Sequence, residues 1–318
     1  MEARRVNRKE VDYAKWDHTI KYAINSFTYG YSWYLDAVSD DWEAIIVNDY
    51  EYILPLPYRN ILGVFKYYSQ PILSQQMGPF GKHIPSKEIL ELIFSQLPSG
   101  PVRLNINLSE NINLPESYKS LNPKQHINQT LSIDQDIATV KGKFTNNPRR
   151  ALQSKLKNFG KLEQVSDPKI VLDFVYKLQA QKIGFKKNQY KKALTLFLKA
   201  KENNAAQFFQ LKNINTGKVV VMGAVLIQSD RIINFFYTSL KGTENYGAAS
   251  VYIFKLIEKF RQSKRVFDFD GSDIPGINKF FKSFGAETTY YTSVDKIHPL
   301  LKLVYKAKVY LRTRKIKG

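Results

Sequence analysis

The stretch from Arg231 to Glu287 leaves this chain few ways to fold. It reads as strand, glycine-containing turn, helix, strand, turn, helix. Ile232, Ile233, Phe235, Phe236 and Tyr237 form a short apolar and aromatic run, the pattern of a strand buried on both faces. Lys241 to Gly247 interrupt it with two glycines. Ala249, Ile253, Leu256, Ile257 and Phe260 then recur at helical spacing. Val266, Phe267 and Phe269 begin the next strand, which stops at Asp270, Gly271 and Ser272. Ser272 or Asp273 can cap the following helix, Pro275 suits its first turn, and Gly285 sits where a left-handed C-terminal cap belongs.

A helix that starts directly after a strand presents unpaired N–H groups and the positive end of its dipole, which suits phosphate. Gly247, Ala248 and Ala249 are small enough to let a ligand approach the backbone. An ordinary tight turn of an α/β protein fits the local pattern equally well.

Glu244-Asn245-Tyr246-Gly247-Ala248-Ala249 resembles the acyl-CoA pyrophosphate loop of the GNAT N-acyltransferases. Phe267-Asp268-Phe269-Asp270-Gly271-Ser272, then Gly276-Ile277 and Phe281-Lys282-Ser283-Phe284-Gly285, is a longer match. It resembles the second domain of Fem-type aminoacyl and peptidyl transferases, which carry two GNAT-like domains in one chain. The resemblance implies an α/β (α+β) fold: two GNAT-like domains in tandem, each a mixed sheet flanked by helices. The co-substrate it implies is acyl-CoA or aminoacyl-tRNA, with no tightly bound cofactor. Glu244 replaces the usual Gln or Arg, placing a negative charge beside the proposed pyrophosphate, which argues against CoA and leaves the fold intact.

The chain's length of 318 residues suits one large or two ordinary domains. Without cysteine, disulfides, thiolate metal sites and a cysteine nucleophile are excluded. The absence fits a cytoplasmic protein. No signal peptide or transmembrane run is visible. Net charge is +20, unevenly placed: residues 1–140 carry −3 and residues 141–318 carry +23. That asymmetry points to a polyanion such as tRNA, an anionic membrane or a phosphate-rich substrate, or to a merely basic soluble surface.

In chain order, Tyr22 to Val38 reads as helix. Ala44–Val47, the two-residue turn Asn48-Asp49 and Tyr50–Leu56 read as a hairpin. Strands are expected at Phe65–Leu73, Val102–Leu108 and Gln129–Ile133, with a helix from Ser86 to Gln96. Leu172–Lys182 and Tyr190–Lys201 read as helices, Ala206–Leu211 and Val219–Ile227 as a hairpin, and Thr288–Val294 as a last strand. The element order repeats, so the expectation is a degenerate N-terminal GNAT-like domain over 1–140 and a C-terminal one over 141–318 holding the site. Residues 297–318 pack back on the first domain, as the resemblance implies. That basic segment also suits an anionic membrane, making the protein peripheral at its inner face.

Between the domains, Thr145 or Asn146 can cap a helix carrying Arg149, Arg150, Lys155 and Lys157. Arg149 and Arg150 are candidates for gripping substrate phosphate, joined by Lys279 as a substrate-binding residue; a solvated basic face is the alternative. His18, His83, His126 and His298 are scattered without ligand spacing, so no metal site is expected. Acyl transfer to an amine needs a base, an oxyanion stabiliser and positioning. Asp268 and Asp270, two apart on a strand, share a face and supply a base or cap the next turn. Lys282 matches the Phe-Lys of the Fem-type block, where the resemblance implies contact with phosphate or the tetrahedral intermediate. Tyr237 and Tyr246 flank the loop as proton donors. The loop residues Glu244, Asn245, Tyr246, Gly247, Ala248 and Ala249 would bind the co-substrate. Two functions stay open: an N-acyltransferase acting on an amine or a muropeptide acceptor, or a non-catalytic binder of nucleic acid or anionic membrane.

Overall fold

The computed structural model describes residues 1–61, 65–183, 185–261 and 263–302. Two units divide the chain: Met1–Gln125 together with the chain from Tyr291, and His126–Tyr290.

In the first unit, β1 (Ala3–Asn7) is followed by α1 (Tyr13–Tyr22), α2 (Ser32–Val38), β2 (Asp41–Val47), β3 (Tyr52–Ile61), β4 (Phe65–Ser69) and β5 (Phe80–Gly81). Then come α3 (Lys87–Ser95) and β6 (Arg103–Asn107). Its sheet runs β1-β2-β3-β4-β6-β13, where β13 is the last strand (Glu287–Ile297) and pairs through Ser293–Ile297. β4 and β6 are parallel and the other neighbours antiparallel. β2 shows why two helical layers form. Ile45 and Val47 join the core with Ile89, Leu90, Ile93 and Phe94 of α3. Trp42, one face over, meets Trp16 of α1 with ring centroids 5.1 Å apart.

The expected helix from Tyr22 to Val38 is broken. The indole of Trp16 donates to Gly30 O (2.8 Å), and the Asp17 carboxylate accepts from both Ser32 N and Ser32 Oγ (2.7 Å each). Those bonds fix an irregular crossing and restart the helix at Ser32. The hairpin turn is longer than the expected Asn48-Asp49: Glu51 N donates to Val47 O, and Asn48 and Tyr50 both take positive φ. β1 escapes an apolar-run reading because it is an edge strand with Arg4 and Arg5 exposed.

The second unit holds β7 (Lys124–Ser132, from His126 onward), α4 (Ile137–Gly142), α5 (Asn146–Lys155), β8 (Glu163–Gln164), α6 (Pro168–Ile183) and α7 (Lys187–Glu202). β9 (Ala206–Lys212), β10 (Val219–Ile227), β11 (Arg231–Ser239), α8 (Ala248–Phe260), β12 (Val266–Asp268) and α9 (Pro275–Lys282) follow. The sheet order is β7-β12-β11-β10-β9-β8, with β11 and β12 parallel. The division at 125/126 lies before the expected join near 140 because β7 pairs with β12, Leu131 opposite Phe267. Phe197 of α7 packs on Phe208, Phe235 and Phe236 on one face. Val251, Ile253, Leu256 and Ile257 of α8 pack with Ile232 and Phe267 on the other. The expected packing of 297–318 reaches into 303–318, which lies outside the described residues.

Candidate active site

The parallel pair β11–β12 closes early. Register runs from Arg231 opposite Val266 to Ile233 opposite Asp268, after which β11 continues to Ser239 paired with β10 and not with β12. Against β10, Leu226 pairs with Ile233 and Ala224 with Phe236, so Val225 faces both Asn234 and Phe235. This bulge changes which side chains face α8. Beyond it Tyr237 stacks on Tyr252 of α8 (5.8 Å).

The loop then turns into α8 at Gly247, whose φ of +87° suits glycine. Glu244 folds back within the loop, its Oε1 accepting from Asn245 Nδ2 (3.2 Å). Asn245 also donates to Lys241 O, and Asn213 Nδ2 donates to Glu244 O (3.2 Å each). Helix α5 lies across the start of α8: a Cβ built on Gly247 would be 3.1 Å from Ala151 Cβ. The space left there, bordered by Asn147, Ser239, Tyr246 and Phe280, is about 160 Å³. That is less than the ~300 Å³ from which pockets for drug-sized ligands start. Phe144 lies just ahead of α5 and packs further along α8. It is 1% exposed and packs edge-on against Phe254 of α8 (6.3 Å) and Phe284 just beyond α9 (5.2 Å). Thr145 N donates to Ser283 O (2.8 Å), and Gly285, with φ +75°, leaves room for Lys143.

A larger cavity, about 470 Å³, lies along α9. Lys279 and Lys282 line it with Thr145, Asn146, Asn278 and Asp273. Both lysines are exposed on the last turn of α9. Asp273 Oδ1 accepts from Ile127 N (3.0 Å), and Asp273 Oδ2 lies 2.6 Å from His126 Nδ1, which therefore carries the proton. Burial works to raise the Asp273 pKa, but the bonds from His126 and Ile127 outweigh it and hold the carboxyl below its usual value. Two ammoniums, a carboxylate and two carboxamides thus meet at one opening, with the His126 imidazole behind the carboxylate.

The other expected site residues fall differently. Asp268 is 1% exposed; Oδ2 accepts from Arg231 (2.8 Å) and Asn128 Nδ2 (3.2 Å), and Oδ1 from Asp270 N (2.8 Å). These bonds make it a buried anchor. Asp270 lies past the end of β12 with φ +54°, so the two aspartates do not share a strand face. Burial pushes the half-buried Tyr237 phenol up. The Tyr252 phenol rises too, through burial and then Tyr237, and its buried hydroxyl has no hydrogen-bond partner. Tyr246 is 54% exposed. Arg149 and Arg150 are exposed on α5. In the sequence, His126 carries no signal beyond its lack of metal spacing, and Ser272 and Asp273 read as helix caps; neither caps α9, whose N-cap is Ile274, and Ser272 Oγ instead accepts from Ile274 N (3.1 Å) in the turn before it. Gln129 and Asn234, both at 3% exposure or less, have neither amide atom paired. Among the described residues no group of His, Cys, Asp and Glu can hold a metal, and no helix is long and apolar enough to cross a membrane.

No family model and no curated protein matches the chain. Solved structures do. FemX aligns over 96% of this chain and 100% of its own, with a TM-score of 0.67 at 12% identity. A conserved protein of unknown function from Bacteroides thetaiotaomicron aligns over 90% and 98%, at TM-score 0.56 and 12% identity. A tandem GNAT protein from the clavulanic acid biosynthesis pathway aligns over 92% and 98%, at TM-score 0.50 and 9% identity. These likenesses show the fold: GNAT-like, in tandem, of the Fem type.

Proposed function

We propose that this protein is an aminoacyltransferase that moves an aminoacyl group from tRNA to an amine, with its chemistry at the cavity along α9. One observation carries the reading. The loop that would hold a CoA pyrophosphate is covered by α5 at Gly247, while the cavity beside it keeps Lys279, Lys282 and Asp273 at its walls. The +23 charge of residues 141–318 supports a polyanionic donor. FemX, which shares the fold, supports a transferase of this general type.

The ammonium first gives up one proton, which passes on to solvent; the free amine nitrogen then attacks the ester carbonyl, a C–N bond forms, the C–O bond to the ribose breaks, and a second nitrogen proton passes to the ribose oxygen. Asp273 receives the ammonium, and the Asp273–His126 pair takes its proton. Lys282 faces the negative charge that builds on the carbonyl oxygen, and Lys279 with Arg149 and Arg150 faces phosphate. The acceptor is an amine, of which a muropeptide precursor is one candidate.

Transfer from charged tRNA and from acyl-CoA to a panel of amines and muropeptide precursors tests this. Lys282→Ala should lower turnover at least ~10-fold, the loss of one charged contact worth ~1.5–3 kcal/mol, with unchanged folding. Equal transfer from acyl-CoA overturns the donor. If tRNA binds and nothing is transferred from it, a nucleic-acid-binding module replaces the enzyme.

A further inference from the structure

The first unit has a cavity of about 400 Å³ between α1, the β2–β3 turn and the residues after β5. Tyr22, Tyr50, Tyr52, His18, His83 and Lys82 line it. Tyr50 holds a left-handed φ of +65°, uncommon for a large side chain. Two long-range bonds keep it there: its hydroxyl accepts from Asp12 N (2.7 Å), and Thr19 Oγ1 donates to its carbonyl (2.8 Å).

Exposed apolar side chains lie next to these lining residues in the chain. Tyr22 is 58% exposed, Ile24 61% and Ile84 50%, and the described first unit exposes few other large hydrophobic side chains. Ile24 N donates to Gly81 O (3.0 Å), which brings the α1 exit beside Lys82. Ile84 follows the lining residue His83 directly in the chain. Cations stand among these groups. Lys21 Nζ lies 5.3 Å from the Tyr22 ring centre, and exposed Lys82 makes no ion pair with a described residue. Glu51 is the carboxylate among the lining residues, and it accepts from Asn48 Nδ2 (2.7 Å).

We infer that this patch docks on an anionic phospholipid surface: Tyr22, Ile24 and Ile84 enter the headgroup boundary, and Lys21 and Lys82 meet lipid phosphate. Exposed tyrosine and isoleucine side chains flanked by lysines match the two layers of a bilayer interface, apolar beneath and anionic above. Met1–Gln125 carry −1 and the chain from Tyr291 carries +7, so the sequence of this unit is net positive, and long-range attraction to an anionic membrane acts together with the local arrangement. The inference stands apart from the transfer reaction.

The full chain should be floated with vesicles of phosphatidylglycerol and phosphatidylcholine, and with phosphatidylcholine alone. Binding to the anionic vesicles is expected, falling at least ~10-fold in Ile24→Ser/Ile84→Ser and several-fold in Lys82→Gln. The far-ultraviolet spectrum and melting point should not change in these surface variants. Excess glycerol phosphate should not release the chain, which separates a bilayer from a soluble phosphate. If the wild type ignores anionic vesicles at low salt, the inference is overturned. If the variants bind as the wild type does, the basic second half is responsible and the inference is overturned as well.

Discussion

Both units join a parallel strand pair through a helix, β4–α3–β6 and β11–α8–β12, and they finish that crossover differently. In the first unit the segment between β4 and α3 is sealed by its own polar groups. Gln76 Nε2 donates to Gln75 Oε1 (2.9 Å), and Gln76 Oε1 accepts from Glu110 N (2.7 Å). Asn107 Nδ2 donates to Gln75 O (2.7 Å), and Gly78 N to Ser109 Oγ (3.0 Å). In the second unit the loop runs straight into α8, Ala151 of α5 packs against it at Gly247, Phe144 ahead of α5 packs on Phe254 of α8, and Gln129 and Asn234 stay buried and unpaired. The first copy pairs the amides of this segment; the second closes its loop with apolar groups and leaves Gln129 and Asn234 without partners. A buried, unpaired amide lowers stability, so the second copy holds polarity that its fold does not use.

The largest effect should come from removing the plug. Phe144→Ala should destabilise the second unit by ~3–5 kcal/mol. Hydrogen exchange should show amides of α8 and α9 losing protection while those of α3 keep it. Equal loss in α3 would mean that the plug is not particular to the second copy. A smaller test uses opposite signs. Asn234→Leu and Gln129→Leu should each raise stability by ~1 kcal/mol, whereas Gln76→Leu should lower it by ~1–3 kcal/mol by stranding Glu110 N and Gln75. Denaturant unfolding decides, and changes of the same sign in all three would break the comparison.

The smallest effect concerns pH. The Asp273 pKa is lowered in the folded chain, where burial is outweighed by bonds from His126 and Ile127. Its contribution to stability is therefore complete above the unfolded aspartate value of ~3.9 and is lost as pH falls through the lower folded value. Asp273→Asn should lower stability at neutral pH, where that contribution is complete, and change little at the acid end, so the acid limb of a stability–pH curve flattens.

Much of the fold was legible because its elements are local. Val219–Ile227 is a strand over that whole span, Ser86 caps α3 through Ile89 N (3.4 Å), and Pro275 opens α9. What escaped depends on distant partners. Asp268 looks like an available carboxylate until Arg231, 37 residues earlier, is brought against it. His126 and Asp273 lie 147 positions apart and meet only because β7 enters the second sheet. The helix at Arg149 and Arg150 was visible in the sequence, but its covering of Gly247 was not. A cap or a periodicity is written in neighbouring residues, and a lid is not.

The chain's route through β13 carries a further consequence. Ser293 to Ile297 complete the first unit by pairing with Arg103–Asn107 of β6. During synthesis the opening unit therefore waits, with one flank of β6 bare, until the whole of the second has left the ribosome. A product stopped at residue 125 would present that unpaired flank to any strand it met, a site for self-association. One cut cannot separate the units into finished pieces, so a separable first unit would need its last strand moved to follow residue 125 directly.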